Sequence, residues 1–183
     1  YHREVLIEYL AKNFSGFNFS FITNHHDFET NTAYSVYLGA EYLRDDDYLF
    51  MNADVVYPVE LLTKIFNSSF KTVFAIDKKV CGREEVKVID GGQNKIVAIG
   101  KDLIENQCLG EFIGVAKLSK NFNNLFLNSI EKLIDAGGRN DYFEAGIQPL
   151  LKDVDVHYVN VSEYPCIEID FIEDLEFANN LFK

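Results

Sequence analysis

The chain has 183 residues, 48% of them hydrophobic, which is enough for one domain with a real core and too apolar for a disordered chain. Its net charge of -12 argues against bulk binding to nucleic acid or to anionic membranes, though not against a nucleotide whose phosphates a divalent cation can bridge. No apolar run approaches a membrane span, no signal peptide is visible at Tyr1-His2-Arg3-Glu4, and the three scattered cysteines read as reduced thiols of a cytoplasmic protein.

Tyr1 to Phe14 has the spacing of an amphipathic helix, with Val5, Leu6, Tyr9 and Leu10 on one face and Ser15-Gly16 as its end. Phe17 to Thr23 alternates apolar and small residues and predicts a strand. Asn24 to Glu29 is a polar loop. Its His25-His26-Asp27 cluster reads as solvated rather than as a metal site. Thr30 or Asn31 caps a helix over Thr32 to Leu43, with Ala33, Val36, Tyr37 and Ala40 inward. Arg44-Asp45-Asp46-Asp47 is an acidic turn that reads as a solvated linker.

The stretch from Tyr48 to Val56 organises the rest. A short apolar run rich in strand formers ends abruptly at Asp54. Such a run predicts a buried strand, with Asp54 at or just past its C-terminal end, where open α/β sheets bind ligands. A divalent cation would satisfy that carboxylate, and so would a role capping a turn or the next helix.

Pro58 opens a helix to about Phe66, and Thr72 to Ile76 is a strand followed by a charged loop, Asp77 to Glu84. Val86 to Asp90 and Ile96 to Ile99 flank Gly91-Gly92 as a hairpin, with Lys101 directly after it. Glu111 to Ala116 is a strand. Asn121 to Ile134 is a helix with Leu125, Ile130 and Leu133 inward, and Tyr142 to Leu151 is a short helix. Val156 to Val161 and Cys166 to Ile169 are strands, and Ile172 to Phe182 is the closing helix. Strands alternating with helices, with no linker or repeat, give a single α/β domain.

Two strands thus end in an aspartate, Asp54 and Asp170. Converging on one site, they suit magnesium, which takes one or two carboxylates plus phosphate oxygens. Asp170 is also placed to cap the last helix, with Glu173 completing a capping box. Lys87 and Lys101 are candidates to contact an anion. Gly114, after Glu111, could let a ligand approach closely. Asp141 and Glu144, beside Tyr142 and Phe143, could hold a cationic or polyol group, or simply favour a helix start.

Several of these stretches together resemble the nucleotidyltransferases that make sugar nucleotides and related cytidylyl products. The likeness is nearest to the small cytidylyltransferases that activate phosphocholine-type compounds. It runs through Asn31 to Leu38, Asn52-Ala53-Asp54 (Ala53 replacing the usual glycine), Lys87-Val88, Ile96 to Lys101, Gly110 to Ala116, and Glu168-Ile169-Asp170 with Glu173-Asp174-Leu175.

The resemblance implies a mostly parallel, Rossmann-like α/β sheet of the GT-A type. It implies transfer of a nucleoside monophosphate, CMP from CTP, to a phosphorylated small molecule with release of pyrophosphate. Such products feed cell-surface polysaccharide or phospholipid-headgroup synthesis. Asp54 and Asp170 would bind Mg2+, and Asn31, Thr32 and Asn52 the nucleotide. Lys101 would act in catalysis, with Glu111, Asp141, Glu144 and Glu168 on the acceptor side. UTP is the alternative donor, and a homo-oligomer is compatible with the likeness.

The family's opening strand, glycine-rich G-x-G-x-R loop, helix and second strand have no counterpart here. The expectation is an N-terminally truncated domain with exposed edges and little or no catalysis unless that part comes from elsewhere. A non-catalytic fragment that binds a partner or nucleotide, and a nucleotide-sugar glycosyltransferase, are the alternative readings.

Overall fold

The computed structural model describes residues 2–182. The secondary structure runs α1 (Arg3–Asn13), α2 (Thr32–Glu41), β1 (Tyr48–Met51), β2 (Val55–Val56), α3 (Val59–Phe66), β3 (Val73–Asp77), β4 (Lys87–Asp90) and β5 (Ile96–Gly100). It continues with β6 (Gly110–Leu118), α4 (Lys120–Asp135), α5 (Glu144–Ile147), β7 (His157–Asn160), β8 (Ile167–Glu168) and α6 (Ile172–Leu181).

A six-stranded sheet is ordered β5-β4-β6-β3-β7, with β1 also on β6. The α/β expectation holds, with a refinement to the word parallel. β1, β3, β4 and β7 share one direction, yet only β3 and β7 pair in parallel. The long β6 runs the other way through their midst, so its ladders are antiparallel. β1 and β4 lie end to end along the same edge of β6. β1 faces Val115 to Leu118, whereas β4 faces Gly110 and Glu111. Between them the chain leaves the sheet at Asn52-Ala53-Asp54, and that gap places the site.

Side-chain periodicity explains the two faces. β3 is buried from Val73 to Ile76. Its alternate residues Phe74 and Ile76 face one apolar cluster, and Val73 and Ala75 the other. The first cluster lies under α2, α4 and α5; the second includes Leu61 and Ile65 of α3. On α4 the inward stripe is Phe122, Phe126, Leu127, Ile130 and Ile134, and Leu125 is exposed. Expected inward, Leu125 falls outside this stripe. The acidic turn before β1 is not a mere linker, since Asp47 accepts from the Lys120 N–H at the start of α4 and Asp45 pairs with the Lys120 ammonium.

Two expectations for the first 23 residues change. Helix α1 forms, but none of its residues is buried, and Tyr1 lies outside the described residues. Phe17 to Thr23 does not form a strand, because no ladder partner meets it among the described residues. Its rings stack on one another instead, with Phe19 and Phe21 5.9 Å apart. No helix is long and apolar enough to cross a membrane among the described residues.

Candidate active site

Asp54 and Asp170 are brought together by a device that is not a shared parallel sheet. β2 and β8 form a separate two-stranded antiparallel ribbon in which Val55 faces Glu168 and Val56 faces Ile167. The Ile169 N–H donates to the Asp54 carbonyl at 2.8 Å. Asp54 therefore enters the ribbon at the end where Asp170 leaves it. Both aspartates and Glu168 are exposed.

Although Glu168 is exposed as a residue, partial desolvation of its carboxyl comes first in pushing it above its usual range, followed by the negative charges of Asp170, Asp54 and Glu111, against some relief from Lys101. Four carboxylates thus share one field. This donor set suits a hard divalent cation, which would relieve the repulsion. No group of three potential ligands is preformed among the described residues, so protein carboxylates would supply only part of a coordination shell.

Asp170 does not cap α6. The N-cap is Phe171, and Asp174, not Glu173, accepts from both the Asp170 N–H (3.1 Å) and the Phe171 N–H (2.8 Å). The capping duty falls one residue later than expected, which leaves the Asp170 carboxylate available for other work.

Asn52 is set by Gly114. The Asn52 N–H donates to the Gly114 carbonyl at 2.8 Å, and Gly114 sits at φ +73. A Cβ there would lie 2.4 Å from the Asn52 side chain. The close approach expected of Gly114 is thus made by Asn52, two residues before Asp54.

Glu111 lies in a cross-strand row, opposite Asp77 on one side and Lys87 on the other, with Gly100 beyond. Lys101 follows that row directly. Glu111 is ion-paired with Lys79 at 2.6 Å. Burial acts to lower the Lys79 pKa, but the hydrogen bond its ammonium donates to Glu111 and the charges of nearby acids prevail and raise it. Lys87 is 1% exposed, and its ammonium donates to the carbonyls of Gly82, Arg83 and Glu85. Its role is to fold the 82–85 loop, so it is not the anion contact considered from sequence. Lys101 remains, its Nζ 4.6 Å from the Tyr142 ring centroid and 4.0 Å from Glu84.

Asn31 and Thr32 are knitted to the loop that carries Asp141. The Asn31 N–H donates to the Arg139 carbonyl, the Ala33 N–H to the Asp141 carbonyl, and the Phe143 N–H to the Thr32 hydroxyl at 3.1 Å. The Asn31 side chain accepts from the Thr32 N–H. Phe143 in turn packs on Phe50 of β1, centroids 5.0 Å apart. Asp141 is exposed, whereas Glu144 is 5% exposed with Oε2 buried and unpartnered. Burial raises the Glu144 pKa; its own backbone N–H and the Lys101 charge act the other way.

Sequence reasoning assigns no role to Asp77 or Lys79, and Asp174 enters only within the Glu173-Asp174-Leu175 likeness, with the cap expected at Asp170 and Glu173. Asp77 ends an apolar strand just as Asp54 follows one, so the same signal was there to find. The Lys79 and Asp174 partnerships depend on register and on a one-residue helix offset, which leave no local trace.

No protein-family model matches the sequence, and no curated protein matches it. Solved structures do. CTP:phosphocholine cytidylyltransferase from Streptococcus pneumoniae is 18% identical with a TM-score of 0.72, covering 98% of this chain and 75% of its own. The inositol-1-phosphate CTP transferase from T. maritima is 19% identical with a TM-score of 0.76, covering 100% of this chain and 72% of its own. An apo UDP-glucose pyrophosphorylase is 10% identical with a TM-score of 0.72, covering 98% and 69%. Across near-random identity, what these proteins share with the chain is its backbone: residues 2–182 have the α/β fold of the nucleotidyltransferases.

Proposed function

We propose that the chain is the nucleotide-transferring domain of a magnesium-dependent nucleotidyltransferase. It would move CMP from CTP to a phosphorylated small molecule in the cytoplasm and release pyrophosphate. The observation that carries this reading is the β2–β8 ribbon, which sets Asp54 and Asp170 at one end and Glu168 beside them in a common negative field. The fold shared with cytidylyl and uridylyl transferases supports it.

Asp54 and Asp170 would hold Mg2+, with Glu168 next to them. The ion would supply charge neutralisation at the triphosphate and the leaving pyrophosphate. The rest is positioning. Lys101, the cation whose charge reaches both Glu168 and Glu144, would draw the acceptor phosphate toward the α-phosphate. Asn52, held by Gly114, and the Asn31-Thr32 turn would position the nucleotide. Asp141, Glu144 and Glu111 would bound the acceptor side. No covalent intermediate is needed, since the acceptor phosphate attacks directly and pyrophosphate departs. Turnover also needs a triphosphate cradle of oriented N–H groups, and residues 1–183 contain no G-x-G-x-R loop.

Calorimetry of CTP and UTP with and without magnesium tests the reading. Saturable, magnesium-dependent CTP binding that is lost in Asp54→Ala and in Asp170→Asn is the expected result. Nucleotide binding that ignores magnesium and both substitutions would overturn the site.

A further inference from the structure

β1 has one open edge. β6 pairs with it on one side, and among the described residues no strand pairs with it on the other. The Asn52 N–H turns toward β6 to reach the Gly114 carbonyl. Backbone groups alternate along a strand, so the N–H and C=O of Leu49 and Met51 point to the open edge. Next to that edge lies an apolar groove of about 270 Å3, lined by α2 residues and by Tyr48 and Phe50. An apolar cavity of about 150 Å3 takes one benzene-sized ring, so the groove has room for about two.

The chain itself carries a segment of matching pattern. Phe17, Phe19 and Phe21 alternate with Asn18 and Ser20. Their rings form a row, with centroids 6.3 and 5.9 Å apart, and all three are exposed. A period of two suits a strand with one buried face. Within its own chain the segment does not line the groove. The turn after it is tied down: the Asn24 amide donates to the Thr30 and Ser35 hydroxyls, and the Thr30 hydroxyl donates to the His26 carbonyl. Reaching β1 in the same molecule would undo those bonds.

Charge selects the same two surfaces. The chain carries a net charge of -12, so two copies repel, yet Phe17 to Thr23 and Tyr48 to Ala53 contain no charged residue. They are stretches where copies can meet without opposing carboxylates. One docked segment is small for an interface. Two, exchanged reciprocally, reach on the order of 1,000 Å2, the scale of a specific contact. Reciprocity also closes the assembly, where one-way docking would run on as a filament.

We propose that Phe17 to Thr23 of a second copy adds to the open edge of β1 as an extra strand, seating its phenyl rings in the groove beside α2, in a reciprocal two-fold dimer. The backbone of Leu49 and Met51 gives the added strand its ladder, and the groove sets which face it presents.

Sedimentation velocity of the full chain over a dilution series tests this exchange. A monomer–dimer equilibrium is expected, strengthened by added salt as the charge repulsion is screened. Phe19→Ser/Phe21→Ser removes the donor rings, and Met51→Pro removes an edge N–H at a place where a strand tolerates proline. Each variant alone should stay monomeric. Mixed in equal amounts they retain one intact donor and one intact acceptor, and should form a heterodimer at least about tenfold weaker than the parent dimer. Thermal melting checks that each variant folds, and Met51→Lys blocks the same edge should the proline variant not fold. A parent chain that stays monomeric would overturn the exchange. So would dimers that persist in Phe19→Ser/Phe21→Ser, which would be β1 edges paired with each other, open-ended growth, or a mixture that stays monomeric.

Discussion

Gly114 and Glu144 are single residues whose chemistry can be isolated. At Gly114 the left-handed backbone (φ +73) and the contact a Cβ would make with Asn52 act together. Gly114→Ala should cost about 2–4 kcal/mol in urea unfolding, from strain plus the clash. Combining it with Asn52→Ala should return part of that loss and leave the backbone term of about 1–2 kcal/mol. At Glu144 the sign of the pH dependence is fixed by burial. Its folded pKa is raised, so the folded state keeps the proton longer than the unfolded chain does. Its contribution is full below the ordinary carboxylate pKa and is lost as pH rises from there through the raised folded value. Urea titrations across that window should show stability falling with pH in the wild type. Glu144→Gln should flatten the slope and be the more stable protein at neutral pH. A buried carboxyl with an unpartnered oxygen has this signature, and an equal slope in both proteins would remove Glu144 as its cause.

Elements are joined at a few polar nodes. Asn123 of α4 is fully buried, donates to the carbonyls of Ala40 and Leu43 at the end of α2, and accepts from the Tyr48 hydroxyl of β1 at 2.8 Å. Burial pushes the Tyr48 pKa up to about 12, so the phenol stays a donor throughout the physiological range. Asn123→Ala removes one of two donors from each carbonyl, which keep the Leu43 and Asp46 N–H groups, and leaves the Tyr48 hydroxyl without its acceptor, and should cost about 1–3 kcal/mol. Tyr48→Phe should cost about 1 kcal/mol, and the double variant less than the sum. Thermal or urea melts of the three variants measure this. The node also shows what a sequence makes legible. The stripes of α2 and α4 follow from period, and β1, β3 and the β4–β5 hairpin from apolar runs and Gly91-Gly92, because those signals are local. The β2–β8 ribbon is two residues wide and has no period to read. Glu173 and Asp174 are equally good caps on paper, and only the observed start of α6 selects Asp174. Phe17 to Thr23 has every local mark of a strand and lacks only a neighbour, which propensity cannot supply.

At the scale of the whole molecule, stability is unevenly spread. The buried clusters lie in the sheet and against α2, α3, α4 and α5, whereas α1 buries nothing and α6 buries only Ala178. Val5, Leu6, Tyr9, Phe17, Phe19 and Phe21 are exposed. Segments with so little buried area open at small cost, so chymotrypsin should cut between Tyr9 and Phe28 before it reaches β3 or β6. The β1 strand adds a second consequence. It pairs with β6 along one edge. Beside it runs a groove of about 270 Å3 lined by Val36, Ala40, Leu43, Tyr48 and Phe50. A strand edge next to an apolar groove is a template for another extended chain. Light scattering should therefore show association that grows with protein concentration. Met51 lies at the end of β1 and is 47% exposed, so Met51→Lys puts a charge at that edge without entering the core. The lysine variant should remain monomeric at concentrations where the parent associates. Identical scattering from the two proteins would direct attention from β1 to the exposed rings of Phe17, Phe19 and Phe21.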